Sequence, residues 1–246
     1  MQTLRSIVYV AWLYGALLVL GVLFLPTLFL PRRVVRKGME WWAVAARWGL
    51  KWICGVRTEY RGLDRLPQGP CIIAPKHQCM YDTIAPFEWL KDPAFVLKKE
   101  LMILPILGWY SWKADMIAID RGGALKTMKA LTKKARQVAA DGRQLIIFPE
   151  GTRGAPGDPP DYKPGVAAIY KELGLPCVPV ALNTGLCWPA SGFQRTPGLI
   201  VFEVLPPIEP GLDRKTFMTR LEDDIETATN RLIVEGRAEQ SARNAA

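Results

Sequence analysis

This chain is short of histidine. Across 246 residues there is one, His77, so chemistry that needs a neutral base near pH 7 must use that imidazole or do without. The cysteines are few and scattered: Cys54, Cys71, Cys79, Cys177 and Cys187. Their odd count and the lack of any C-x-x-C pair leave no disulfide framework and no zinc spacing, and they read as reduced thiols in a cytosolic compartment. Also missing are G-x-x-x-x-G-K, G-x-G-x-x-G and G-x-S-x-G, which removes the signatures of nucleotide-binding folds and of serine hydrolases. No internal repeat is visible.

Positive charge, by contrast, is in surplus. Lysine and arginine number 32 against 23 acidic residues, for a net charge of +9. That balance favours an anionic partner: nucleic acid, an acidic membrane face, or a phosphorylated or acidic carrier. No nucleic-acid module accompanies it, so nucleic acid is set aside.

Apolar residues are abundant at the N-terminal end. From Ile7 to Leu30 the chain carries no charge, a run longer than the ~20 residues that cross a bilayer core and than the ~7–15 of a signal peptide's apolar region. Arg32, Arg33, Arg36 and Lys37 follow it, against Arg5 before it, which predicts that the body of the protein stays on the cytoplasmic side. Pro26 leaves open a kinked or re-entrant helix, and a buried core helix is the soluble alternative. In the next segment Trp41, Ala45, Trp48 and Trp52 share one helical face, with Glu40, Arg47 and Lys51 beside it. Such a face suits either headgroup depth or packing on a soluble core. Residues 1–54 thus read as a two-helix membrane-associated unit, ending at Gly55.

From there the pattern changes to short apolar runs alternating with helical stretches. VRTEY, CIIAP, AFVLK, MIAID, QLIIF, CVPVAL and LIVFEVL predict strands, and 82–90, 123–140, 165–173 and 214–235 predict helices. The last ten residues read as frayed. The alternation predicts an α/β domain over 55–246, a mainly parallel sheet covered by helices, with reactive groups in loops beyond the carboxyl ends of strands.

Three such loops carry chemistry. After CIIAP, His77 precedes Asp82 by five residues. Across a strand-to-helix turn the two can meet, the carboxylate fixing the tautomer and supporting an imidazolium while the other ring nitrogen takes a proton. After QLII comes FPEGTRG, 148–154. There Gly151 lets backbone N–H groups approach a ligand, Thr152 offers a hydroxyl and Arg153 a planar fork for phosphate oxygens. Glu150 could orient Arg153 or meet a substrate hydroxyl, or simply pair with Arg153 in a plain turn. The strand MIAID ends at Asp120, Arg121 and two glycines.

In order, KHQCMYD, IDRGG, FPEGTR and VPVALNTG resemble the glycerolipid acyltransferases that carry an H-x-x-x-x-D box, in particular the bacterial 1-acyl-sn-glycerol-3-phosphate acyltransferases. The resemblance runs from about Cys71 to Gly185. It implies transfer of a fatty acyl group from acyl-CoA or acyl-acyl carrier protein to the sn-2 hydroxyl of lysophosphatidic acid, giving phosphatidic acid without an acyl-enzyme. It implies His77 and Asp82 as the catalytic pair. Arg121, Glu150, Gly151, Thr152 and Arg153 become the substrate-binding residues, and Val178–Gly185 lies near the acceptor or acyl chain. No metal or cofactor is implied, and the expected location is a membrane, the bacterial inner membrane, with the catalytic domain facing the cytoplasm. The basic side of 123–140, with Lys126, Lys129, Lys133, Lys134 and Arg136, is then either an ordinary solvated face or a contact for anionic lipid or an acidic acyl carrier.

This chain departs from the family pattern at two places. Lys76 stands where asparagine is common, and Cys79 where serine is common. A cysteine so close to His77 permits a rival route through a cysteine nucleophile. A lyso-ornithine-lipid acyltransferase is the neighbouring alternative, and a non-catalytic membrane lipid-binding protein is the alternative of another class.

Overall fold

The computed structural model describes residues 1–119 and 124–245, apart from the side chains of residues 124–127 and 244. Arg121 therefore lies outside the described residues, as does Asp120.

Two long helices come first, α1 (Gln2–Leu23) and α2 (Arg32–Cys54), joined by a 3-10 turn over Leu25–Phe29 with Pro26 as its second residue. α1 is long and apolar enough to cross a membrane. It lies along α2 closely enough that a Cβ at Gly49 would stand 2.4 Å from the Trp12 ring. Near its ends α1 is tied to the rest of the chain: the Ser6 hydroxyl accepts from the Arg195 amide at 2.8 Å, and the Gly21 carbonyl accepts from the Tyr110 hydroxyl at 2.9 Å. α2 is amphipathic. Val35, Ala43, Ala46, Leu50 and Cys54 are buried, whereas Trp41, Trp48 and Trp52 are exposed. The aromatic stripe thus points away from the core rather than into it. Gly55, in the left-handed conformation at φ 70°, ends the helix.

Among the described residues seven strands then form one sheet, in the order β1-β7-β6-β2-β5-β3-β4. They are β1 (Val56–Arg61), β2 (Cys71–Pro75), β3 (Pro93–Lys98), β4 (Ile117–Ile119), β5 (Gln144–Ile146), β6 (Cys177–Leu182) and β7 (Gly198–Val204). Every neighbouring pair is parallel except β6 with β7. β2 is the central strand and is buried throughout. Its residues alternate between two cores: Cys71 and Ile73 face the same cluster as α2, while Ile72 and Ala74 face the cluster built with the helices below. This is the period of two expected of a strand with both faces covered.

The remaining helices are α3 (Pro86–Trp89), α4 (Leu107–Lys113), α5 (Ala124–Ala140), α6 (Gly165–Leu173) and α7 (Arg214–Ala245). Three differences from the sequence reading have physical causes. The single helix expected over 82–90 is split into a 3-10 turn, Met80–Thr83, and the single turn α3. Pro86 opens the second piece, and a proline ring clashes with the carbonyl four residues back. α4 has no counterpart in the sequence reading: it is only seven residues long, with Pro105 just before it and Gly108 within it. α7 continues to Ala245 rather than fraying, because Glu239 pairs with Arg57 at 2.9 Å and Gln240 donates to the Pro197 carbonyl at 3.2 Å.

Candidate functional site

β5, β2 and β6 are adjacent and mutually parallel, so their carboxyl ends open on one edge of the sheet. The loops that follow them begin at Ile147, Lys76 and Asn183. The H-x-x-x-x-D box, the FPEGTRG stretch and the end of VPVALNTG therefore meet by topology. Such a crevice, at the carboxyl ends of central strands, is where α/β sheets hold ligands.

Leaving β2, the chain runs extended through Cys79 into the Met80–Thr83 turn. Asp82 occupies the third position of that turn and caps it. Its Oδ2 lies 3.1 Å from His77 Nδ1 and accepts the amides of Gln78 at 2.6 Å and Cys79 at 2.8 Å. Its Oδ1 accepts the Thr184 hydroxyl at 2.7 Å and the Cys79 thiol at 3.5 Å. Asp82 has no exposed surface, and its oxygens are surrounded by donors, as a buried polar group requires. With Nδ1 donating to Asp82, the imidazole presents Nε2 as its acceptor. The ring stacks on Phe148 at 4.0 Å between centroids and lines a cavity of about 880 Å³.

The cavity wall joins polar and apolar residues. His77, Glu150, Gly151, Thr152, Arg153 and Lys163 contribute to it, as do Leu17, Leu20, Met39, Trp42, Phe87 and Leu107. It is a mostly apolar channel with polar groups at one part of its wall. Thr152 and Arg153 are exposed. Gly151 has φ 66°, a left-handed conformation that a side chain would strain.

Glu150 is 6% exposed. Its Oε2 accepts the His77 amide at 3.0 Å and its Oε1 lies 2.8 Å from the Lys76 ammonium. Glu150 is thus a brace between the two motifs as well as part of the cavity wall, and the expected pairing with Arg153 gives way to Lys76. A second link closes the loop, since the Gly154 amide donates to the His77 carbonyl at 2.9 Å. Burial pulls the Lys76 pKa down, but the hydrogen bonds and charges of Glu150 and Glu226 outweigh it and the net direction is up.

None of Val178–Gly185 forms part of the cavity wall itself; Thr184 stands behind Asp82, and Asn183 holds the amide of Val201 at 2.8 Å and the carbonyl of Leu232 at 3.0 Å. Cys79 has no exposed surface, and burial, with the charge of Asp82, pushes its thiol well above the usual range. A thiol held in its protonated form away from solvent is no nucleophile. Thr184 and Lys76 are the residues whose contacts the spacing of motifs did not announce. Among the described residues no cluster of three or more His, Cys, Asp or Glu side chains is arranged to hold a metal ion.

Chemically, the arrangement offers an imidazole with one nitrogen free for a proton, a carboxylate that holds the ring, and the cationic side chains of Arg153 and Lys163 in the wall of the same channel. Comparison with known proteins agrees with that chemistry. A family model described as Acyltransferase matches residues 57–183. The chain is 33% identical over 207 residues to the 1-acyl-sn-glycerol-3-phosphate acyltransferase of Pseudomonas aeruginosa, covering 83% of this chain and 80% of that protein. It is 27% identical over 162 residues to the mouse 1-acyl-sn-glycerol-3-phosphate acyltransferase alpha, covering 64% of this chain and 57% of that protein. The crystal structure of the 1-acyl-sn-glycerophosphate acyltransferase PlsC from Thermotoga maritima superposes with a TM-score of 0.78 over 94% of this chain and 99% of that one, at 21% identity, and so shares the fold. On the family model and the bacterial relative together, the chain belongs to the acyltransferase family.

Proposed function

We propose that this enzyme moves a fatty acyl group from a thioester carrier, acyl-CoA or acyl-acyl carrier protein, to the free sn-2 hydroxyl of 1-acyl-sn-glycerol-3-phosphate, giving phosphatidic acid. What supports the reading is one observation: His77, held at Nδ1 by Asp82 Oδ2 at 3.1 Å, lines the same channel as Thr152 and Arg153. A base, a phosphate-binding loop and an apolar wall are what a lysolipid acceptor requires.

In this mechanism the hydroxyl gives its proton to His77 Nε2 as its oxygen attacks the thioester carbonyl carbon. The resulting imidazolium is stabilised by Asp82, which keeps its own charge. When the tetrahedral intermediate collapses, the C–S bond breaks and the departing sulfur takes the proton from Nε2. His77 ends neutral, and no acyl group rests on the protein. A positioned base of this kind contributes ~10²–10⁴-fold. Arg153, with Thr152 and the backbone beside Gly151, holds the phosphate, and Arg121 adds a second guanidinium. The reaction needs neither metal nor cofactor. The exposed faces of α1 and α2 rest on the membrane as an anchoring unit, residues 1–54, and the basic flank at Arg32–Lys37 keeps the catalytic body, residues 55–246, on the cytoplasmic side.

The test is acyl transfer by the detergent-purified protein, offered lysophosphatidic acid and lyso-ornithine lipid side by side with both donors, and with His77→Ala as control. Phosphatidic acid formed by the wild type and lost in the variant is the expected result. Product from the ornithine lipid alone overturns the acceptor, and no His77-dependent product from either overturns the function.

A further inference from the structure

Lys76 takes no part in the chemistry above, yet it is 3% exposed and lies between two carboxylates. Its ammonium is 2.8 Å from Glu150 Oε1 and 2.7 Å from Glu226 Oε1. The Tyr162 hydroxyl donates to the same oxygen of Glu226 at 2.9 Å. Glu226 belongs to α7, where the neighbouring Ile225 is fully buried in the core, so the helix offers a fixed support. Burying an ammonium is costly unless it is paired, and removing one partner of such a group leaves the others uncompensated. Lys76 is the cation that bridges the two carboxylates, Glu150 and Glu226.

These contacts form one line. It runs from Glu226 on α7 to the Lys76 ammonium, to Glu150, and from the other oxygen of Glu150 to the His77 amide at 3.0 Å. The loop after β2 is gripped at two consecutive residues, by the side chain of one and the backbone of the next. Asp82 sets the tautomer and rotation of the His77 ring. Glu150 holds the backbone from which that ring is hung, and Glu150 is itself held by Lys76. We infer that Lys76 and Glu226 are positioning residues, which fix the His77 imidazole relative to the channel through Glu150. The inference rests on the assignment of His77 as the base.

The experiment compares full-length Lys76→Met, Glu226→Ala and Glu226→Gln with the wild type and His77→Ala, in detergent micelles. Misplacing a reacting group by 1 Å costs on the order of 10²-fold. Lys76→Met and Glu226→Ala are accordingly expected to lower kcat by about tenfold or more, with KM for both substrates within about threefold. Glu226→Gln, which keeps an oxygen for Lys76, recovers most of the loss. The double variant Lys76→Met/Glu226→Ala loses no more than Lys76→Met alone, since the two act through one contact. His77 is the only histidine, so histidine labelling with ¹⁵N yields one imidazole to follow. Its resonances shift in Lys76→Met and Glu226→Ala and stay close to wild type in Glu226→Gln.

If Lys76→Met fails to fold, the two Glu226 variants decide alone. Unchanged kcat and unshifted resonances beside a lowered Tm overturn the inference, because the cluster is then a matter of stability only. A raised KM at constant kcat also overturns it. Turnover that depends on His77 but not on Lys76 or Glu226 removes this inference and leaves the proposed function standing; turnover independent of His77 removes both.

Discussion

The backbone amide of His77 donates to Oε2 of Glu150 at 3.0 Å. Two motifs far apart in the chain are thereby joined at a point where the imidazole itself is not engaged. The ring remains available to Asp82 on one side and to the channel on the other.

Asp82 and its donors give the first prediction. Asp82→Asn keeps the size of the side chain but removes the charge that supports an imidazolium and favours the wrong tautomer, so kcat is expected to fall by about 10²-fold or more. Thr184→Val removes one donor to Oδ1 and leaves a buried carboxylate lone pair unmet. Its expected cost is about 1–3 kcal/mol of stability, with a smaller loss in kcat. Steady-state kinetics and thermal melts of the two variants check both parts; wild-type kcat in Asp82→Asn is the result that contradicts the scheme.

Arg153 is exposed in the channel wall, so its removal should affect binding more than folding. Arg153→Ala is expected to raise KM for lysophosphatidic acid by about ten- to a hundredfold, the loss of a charge-assisted contact worth roughly 1.5–3 kcal/mol. Tm should be unchanged. Equal KM for the variant and the wild type would move the phosphate elsewhere.

The thiols predict the dependence of stability on pH. Burial raises Cys71 to about 12 and Cys187 to about 12, and pushes Cys79 and Cys177 up as well. In the unfolded chain a thiol ionises near 8.5. A raised folded pKa stabilises the protein fully below that unfolded value, and the stabilisation is lost as pH climbs from about 8.5 through the folded values. Tm is expected to be flat in this respect below pH 8 and to decline above about pH 8.5, less steeply in Cys71→Ala/Cys187→Ala. In the native state iodoacetamide should label none of the five cysteines, all of which are buried. Incubation with acyl donor alone should leave the intact mass unchanged; an acyl adduct on Cys79 would restore the cysteine route.

The proposed membrane contact can be tested on α2. Trp41 and Trp52 are exposed by 58% and 66%, and each indole contributes where an apolar ring meets headgroups. Trp41→Ser/Trp52→Ser is expected to weaken sedimentation with anionic vesicles by several-fold while leaving Tm and activity on detergent-dispersed substrate near wild type. Undiminished vesicle binding would place the contact on other surfaces.

The seven strands among the described residues lie where the sequence pattern predicts them; β2, β5 and β6, buried throughout, need little beyond an apolar run to be legible. Their directions are another matter. β7 runs antiparallel to β6, and the connection between them holds only a 3-10 turn, Thr184–Leu186, where a parallel return needs a long crossover. The end of α7 was likewise illegible, because it is held by Arg57 and Pro197, far away in sequence. In the site, His77 and Asp82 could be paired from their spacing, but the contacts of Thr184 with Asp82 and of Lys76 with Glu226 arise from the register of the sheet and the docking of α7. No local pattern encodes either.

The order of strands has one more consequence. The three loops that meet around His77 leave β5, β2 and β6, in the middle of the sheet, whereas β1 and β4 lie at its two margins. A central strand cannot shift without disturbing neighbours on both sides and two cores; a marginal one has a single neighbour. Substitutions near a margin can therefore be absorbed while His77 and Asp82 keep their geometry. In such a molecule the edges are free to vary and the centre is not.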